Sequence, residues 1–399
     1  MIQIKDKSAC CGCAACVQRC PKQCISLKED KEGFLYPIVD KNACIDCGLC
    51  EKVCPIIGPN DPREPLKVYA AKHKDDEIRM KSSSGGIFTL LAEQIIDEGG
   101  VVFGARFDEY WEVMHDYTET KEGLAVFRGS KYVQSRIGNT FQQAENFLKQ
   151  GRKVMFTGTP CQIAGLKRFL RKEYENLLTV DFVCHGVPSP KVWRMYLDET
   201  LARQGIGKNT VLSYAMLRQK FIRSVEFRSK STGWKKYSFA LTLTKASADG
   251  EENSVLLSSI FGDNPFMEAF LNNYILRPSC YNCVCKSGRS GADITIGDFW
   301  GIEKYIPEFD DDKGCGLCLL NNEKVNLLLN SECELIETTK KYAVKDNICI
   351  DYSVQVPVNR SFFYSELKKN NSLSHTMYKL SNSSFITRLR RLIYRKIGL

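Results

Sequence analysis

Cysteine is the residue best placed to do chemistry in this chain of 399 residues, which holds nineteen of them, ten before residue 55. Residues 10–21 read CCGCAACVQRCP, so Cys10, Cys13, Cys16 and Cys20 follow one another with gaps of two, two and three residues and end on Pro21. Residues 44–55, CIDCGLCEKVCP, repeat the pattern through Cys44, Cys47, Cys50 and Cys54 to Pro55. A doubled run of this form is the spacing of a bacterial two-cluster ferredoxin. Three close thiolates on one loop wrap three irons of a cubane, and the fourth comes from the other half. The spacing therefore groups Cys10, Cys13, Cys16 and Cys54 around one 4Fe-4S cluster and Cys44, Cys47, Cys50 and Cys20 around a second. The prolines turn the chain after each fourth cysteine, and Gly12 and Gly48 are expected to admit close backbone approach to the clusters. Zinc also takes CxxC pairs, but it calls for two pairs rather than two longer runs closed by proline. Cys11 and Cys24 fall outside the runs and read as spare thiols.

These thiols need elements to hold them. Between the repeats, ISLKEDKEGFLYPIVD reads as a β-hairpin turning near Gly33. Residues 1–60 are expected to form the ferredoxin module and 61–66 a linker, since GPNDPREP at 58–65 is rich in proline and charge. From 67 to 360 strand-like and helix-like stretches alternate: LKVYAAKH, GGIFTLLAEQIIDEGG, VVFGARF, TFQQAENFLKQG, KVMFTGT, CQIAGLKRFL, LLTVDFVC and VWRMYLDETL. That alternation predicts an α/β domain with a mixed, partly parallel sheet. The stretches SVEFRSK, KKYSFALTLTK and SVLLSSI predict a β insertion, followed by a short helix at 266–276. Residues 361–399 form a tail. Its end, FITRLRRLIYRKIGL, sets Phe385 or Ile386, Leu389, and Leu392 or Ile393 on one helical face and Arg388, Arg391 and Arg395 on the other. Such a helix fits an anionic membrane face or an acidic protein; docking on the protein's own surface is the plainer alternative.

With 43% hydrophobic residues the chain can bury a sizeable core. No apolar run approaches the ~18 residues of a membrane span, and the N-terminus lacks a secretory pattern. The expected compartment is the cytoplasm, where thiols stay reduced and free for metal. The net charge of +9 is spread along the chain, and without a recognised binding motif no nucleic acid is expected.

Four stretches of the large domain stand out. Ser82-Ser83-Ser84-Gly85-Gly86 precedes a helix, where hydroxyls and free amides cradle anions such as a phosphate; an ordinary serine cap is the alternative. Gly158-Thr159-Pro160-Cys161-Gln162 and Cys184-His185-Gly186 follow strand ends, where open α/β sheets bind ligands. CYNCVC at 280–285 leads into ADITIGDFWG at 292–301. With RGSKYVQS, CHGVPS and the FR-K-GW stretch at 227–234, these pieces run in order from 82 to 301. Together they resemble the beta subunit of the coenzyme F420 hydrogenase/dehydrogenase family.

The resemblance implies FAD, a third 4Fe-4S cluster in the large domain, and two-electron exchange with a deazaflavin or a similar small acceptor. It also implies that Ser84, Gly85, Gly86, Gly129, Ser130, Lys131, Tyr132 and Gln134 line the flavin, with Ser82 and Ser83 in the anion-cradling loop and Thr159 and Pro160 at the strand-end site. A lysine or serine beside a flavin can hydrogen-bond the ring edge or balance charge there, which makes Lys131 a catalytic candidate. For the third cluster Cys280 and Cys283 cannot suffice, and the strand-end residues Cys161 and Cys184 complete the set, with Cys285 in reserve. His185 adjoins that set and is a candidate proton relay or hydrogen-bond donor. Arg228 and Lys230 are expected either to bind a phosphorylated substrate or to sit on a solvated hairpin edge. His73, His115, Cys315, Cys318, Cys333 and Cys349 read as structural. The function expected is an iron–sulfur flavoprotein oxidoreductase, working with a soluble electron-carrying protein and a small-molecule acceptor. The alternative is an electron-transfer subunit without a substrate site of its own.

Overall fold

A computed structural model describes residues 1–207, 210–246, 252–329 and 332–382; the basic helix expected at the C-terminus lies outside them. Each cysteine run ends in a short helix, α1 (Ala15–Gln18) and α2 (Leu49–Lys52), with the hairpin β1 (Ile25–Glu29) and β2 (Leu35–Val39) between them. The hairpin turns where Asp30 offers its carboxylate to the N–H groups of Glu32 and Phe34, both at 3.0 Å.

The next stretch runs β3 (Lys67–His73), α3 (Asp76–Lys81), α4 (Ile87–Asp97), β4 (Val101–Phe107), β5 (Val113–Thr118), α5 (Thr140–Lys149), β6 (Val154–Gly158), α6 (Pro160–Leu170), β7 (Leu177–Phe182) and α7 (Pro190–Arg203). Helix α3 is additional to the expected elements; Asp75 caps it by accepting from the N–H groups of Glu77 and Ile78. After α8 (Tyr214–Phe221), the strands β8 (Ile222–Ser229), β9 (Ser238–Ala246) and β10 (Glu252–Ile260) pair antiparallel as a separate three-stranded sheet. Helix α9 (Pro265–Leu271) leads to the second cysteine group, and β11 (Ile294–Asp298), β12 (Gly316–Leu320) and β13 (Cys333–Glu337) return to the main sheet.

That main sheet has eight strands in the order β13-β3-β12-β11-β7-β6-β4-β5. Strands β4, β6, β7 and β11 are parallel neighbours, and the strands outside them are antiparallel. The fold is thus mixed α/β. The parallel centre explains the unbroken apolar runs: Val101, Val102 and Phe103, and Val154, Met155 and Phe156, are all buried, because helices cover both faces. Cys318 and Cys333 fill strand positions in the core as small hydrophobes.

Two features of the sheet fix the site. Gly158 of β6 pairs with Asp181 of β7, so Thr159–Cys161 and Cys184–His185 leave the sheet side by side, and β11 ends next to them at Asp298. Asp293, just before β11, clamps that strand to β7: its carboxylate accepts from Thr179 N at 2.8 Å and Thr179 Oγ1 at 2.7 Å, and from Asn322 Nδ2 at 2.9 Å. Replacing Asp293 with Ala strips a buried N–H and a buried hydroxyl of their acceptor, so a loss of about 3 kcal/mol is expected. Urea denaturation of the anaerobic protein checks this, and an unchanged midpoint would remove the clamp.

Candidate functional site

The repeated runs fold so that their sulfurs interleave. One hollow is lined by Cys44, Cys47 and Cys50 together with Cys20 from the other run. Cys10, Cys13, Cys16 and Cys54 form a second group: Cys54 and Cys16 are each repelled by Cys10, and Cys13 by Cys16 and Cys54. A third group joins Cys161 and Cys184 to Cys280 and Cys283, which repel one another in the same way. Burial pushes the thiols of Cys16 and Cys280 up to about 12. For these two thiols burial makes the thiolate costly, a cost that a bound metal would offset.

The cysteines outside the ligand sets are not scattered. Cys24 Sγ lies 3.4 Å from Cys20 Sγ. That contact pushes Cys24 up to about 11, while Cys20, despite some desolvation, is held down by N–H groups of Cys24, Lys22 and Gln23. Cys285 stands in the same relation to Cys283, whose thiol is lowered chiefly by that bond and by Lys286 nearby. Cys11 neighbours Cys13 of the second group and Cys161 of the third, so it stands between them. Spacing alone makes Cys11 and Cys24 spares and Cys285 a reserve ligand, because nothing in a linear pattern marks a thiol that only neighbours a ligand.

Beyond the third group opens a pocket of about 540 Å³ with a mainly apolar wall, within the range of small-molecule sites. Cys184 and His185 form the side nearest the thiols, and Lys131, Tyr132, Arg228 and Trp300 form other parts of the wall. Arg228 is buried. Its Nη1 donates to Asp298 Oδ2 at 2.8 Å and to Tyr132 Oη at 3.2 Å, and its guanidinium stacks on Tyr237 at 4.1 Å. Asp298 also accepts from Trp234 Nε1 at 2.9 Å. Residues of the serine loop, the 129–133 segment, the strand ends, the 228–237 stretch and the Asp298–Trp300 turn thus line one cavity, although they are spread from 82 to 300.

Two family models described as "Coenzyme F420 hydrogenase/dehydrogenase, beta subunit" match this stretch, the one for its N-terminal part over residues 68–141 and the one for its C-terminal part over 151–343. The chain belongs to the coenzyme F420 hydrogenase/dehydrogenase beta subunit family. Residues 9–56 match a 4Fe-4S dicluster domain. The chain is accordingly an iron–sulfur electron-transfer oxidoreductase of that family that binds 4Fe-4S clusters. Among solved structures it is similar to a chain of the xenon-derivatised F420-reducing NiFe hydrogenase complex from Methanosarcina barkeri, with 18% identity, a TM-score of 0.44, and coverage of 78% of this chain and 97% of that one. No curated protein matches the chain. Among the described residues no helix is long and apolar enough to cross a membrane.

Several residues of the family pattern do work other than that expected. Gln134 is absent from the pocket wall; its Nε2 donates to Cys11 O at 3.0 Å and its Oε1 accepts from Arg277 at 2.9 Å, so it belongs to the seam with the N-terminal module. Pro160 lines a neighbouring hollow, as the first residue of α6, whereas Thr159 lines the pocket and contacts Cys161 Sγ at 3.2 Å. Ser82 and Ser84 spend their hydroxyls on backbone carbonyls, those of Ile78 at 2.7 Å and Cys315 at 2.8 Å. Ser83 accepts from Ser130 N at 2.7 Å and so ties the two loops together. Glycine at 85 is set by packing: a Cβ there would lie 2.3 Å from Ala71 O and 2.6 Å from Gly316 N. Gly86 caps α4 without a side chain, which leaves the helix start open to the pocket. Lys230 is buried and donates to carbonyls of Arg79, Ser84 and Lys313, so its ammonium is engaged by the backbone rather than on a solvated edge.

Lys131 lines the pocket beside Gly129, and its ammonium rests on the carbonyls of Arg128 at 3.0 Å and Gly129 at 3.2 Å. Burial pushes it down to about 7. His185 directs Nε2 to Asn273 Oδ1 at 2.6 Å and Nδ1 to Cys349 Sγ at 3.7 Å, so both ring nitrogens are engaged away from the four thiols of the third group. Cys349 is buried as expected, yet it lines the pocket too. His73 accepts from Asp75 N at 3.0 Å and is structural.

The second and third sulfur groups give separable outcomes. Cys54→Ser should damage the cluster of Cys10, Cys13 and Cys16, and Cys161→Ala and Cys283→Ala should each remove about four irons. Cys285→Ala should keep its iron. Iron analysis with EPR of the anaerobic variants checks each, and full iron retention in both Cys161→Ala and Cys283→Ala would discard the third set.

Proposed function

We propose that the chain exchanges electrons between 4Fe-4S clusters and a two-electron acceptor, by way of one FAD held in the pocket. The observation that supports this most is the file of sulfur groups. It runs from the hollow of Cys20, Cys44, Cys47 and Cys50, through Cys10, Cys13, Cys16 and Cys54, to Cys161, Cys184, Cys280 and Cys283, and Cys184 also lines the pocket. Cys16 is close enough to Cys50 to be repelled by it, and Cys11 neighbours both Cys13 and Cys161, so consecutive groups are neighbours.

The pocket's residues fit a flavin. Trp300 and Tyr237 supply flat apolar walls, and the open start of α4 with Gly86 suits an anionic end. Arg228 Nε, buried, has no partner among the described residues, a cost that a bound acceptor group would relieve. A flavin supplies the conversion between single electrons and a hydride pair. In this reading Lys131 holds a positive charge at the ring and Tyr132, braced by Arg228, orders the wall. His185 fixes the loop after β7 by bonding Asn273 and Cys349. The acceptor is a deazaflavin such as coenzyme F420 or another small molecule, and the donor is a soluble electron-carrying protein. An electron-transfer subunit would need no cavity of this size beside its last sulfur group.

The test is reduction of a deazaflavin by the anaerobic protein with a reduced ferredoxin as donor. Lys131 is charged below about 7 and loses its proton above it, so the rate should fall as the pH rises through that range. Lys131→Met should flatten that limb and slow the reaction on the order of a hundredfold while keeping all the iron. Cluster reduction without reduction of any two-electron acceptor, and without bound flavin, would favour the electron-transfer subunit instead.

A further inference from the structure

Arg277 is fully buried, at 0% exposure, and it sits where the N-terminal module meets the large sheet. Its Nε donates to Cys10 O at 2.7 Å, Nη1 to Gln134 Oε1 at 2.9 Å, and Nη2 to Leu35 O at 2.9 Å and Cys10 Sγ at 3.5 Å. The guanidinium lies over Tyr36 at 4.2 Å and Phe34 at 5.4 Å. Among the described residues none of its acceptors is a carboxylate. The nearby acids of the hairpin turn are taken: Asp30 faces Lys7 at 3.8 Å, and Glu32 pairs with Arg360 at 2.6 Å. The chain also makes room for this cation. Gly12 has φ +74°, and a Cβ there would lie 2.8 Å from Arg277 Nη1 and 2.9 Å from Gln134 Nε2.

A buried guanidinium with only neutral acceptors is strongly unfavourable unless a counter-charge is near. Burial keeps the Tyr36 phenol protonated. The group in contact that can become anionic is therefore the Cys10 sulfur, and a cubane held by four thiolates carries net negative charge. We propose that Arg277 is the buried counter-cation of the cluster bound through Cys10, raising its reduction potential and making it the favoured resting point for an electron at the seam. The inference rests on the cluster grouping proposed above. Reduction adds one electron from the donor protein and one negative charge to the cluster, and no bond forms or breaks. A fixed cation stabilises the reduced form more than the oxidised one, and a hydrogen bond to a ligand sulfur acts in the same direction. Cation and donor are both supplied from the large domain, so the potential is set only when the module is docked.

The test is an EPR-monitored redox titration of the anaerobic full chain carrying Arg277→Gln or Arg277→Lys, with iron counted in each. Arg277→Gln keeps polar donors and loses the charge. At a fixed potential the reduced-to-oxidised ratio of one ferredoxin-type cluster should fall about tenfold, equal to ~59 mV for a one-electron couple, with a smaller change in the others. Arg277→Lys should shift it less than Arg277→Gln. Unchanged potentials with intact iron would overturn the inference, as would an equal shift in both variants, which would make charge irrelevant. Loss of the cluster in both would make Arg277 a structural latch only. Absence of two clusters from the unmutated module would instead overturn the grouping itself.

Discussion

A cubane demands four sulfurs at the corners of a tetrahedron, and no short loop of this chain supplies them. In the reading proposed here that requirement organises the molecule. The fourth sulfur of each N-terminal group comes from the opposite run, which forces the two runs to fold over the hairpin as one unit. In the large sheet the sulfurs come from two strand ends and a segment about a hundred residues later. They can meet only because β6 and β7 are parallel neighbours in register at Gly158 and Asp181. The clamp from Asp293 to Thr179 holds β11 to the same edge, and β11 carries Asp298 and Trp300 into the pocket wall. Sulfur group and pocket thus share one sheet edge because the parallel centre leaves its ligand-accepting ends on one side.

Charge balance follows from the same convergence. Buried thiols resist deprotonation one by one, so a set of four is stable as thiolates only with metal bound. Around these sets the chain places cations that donate to backbone carbonyls rather than to carboxylates. Lys286, buried, donates to the carbonyls of Cys184 and Cys349; it opposes the rise that burial imposes on the Cys184 thiol and, with Cys285, lowers that of Cys283. By contrast Arg228, inside the pocket, is answered by Asp298.

Much of this is legible in the sequence. The two cysteine runs and the cross-pairing of their sulfurs follow from spacing, and the alternation of strands and helices points to the mixed sheet with its inserted hairpin. What escapes is whatever depends on a partner distant in the chain. Gln134 and Gly85 sit in family motifs, yet Gln134 bonds Cys11 and Arg277 and Gly85 packs on Ala71 and Gly316. A motif records that a residue type is needed and not which neighbour needs it. Lys230 reads as a surface cation because lysine usually is one, and only the fold brings three carbonyls to it. Cys11 and Cys24 read as spares and Cys285 as a reserve ligand because a thiol that only neighbours a ligand carries no spacing rule. Helix α3 escapes because six residues are too few to show a period.

The central claim is a single file of clusters ending at a flavin, and it is tested most directly by what the protein carries. Anaerobically purified chain, denatured and assayed for iron and for released organic cofactor, should give about twelve irons, from three cubanes of four, and one FAD. About eight irons and no flavin would contradict the account and leave a ferredoxin module attached to a domain without redox centres.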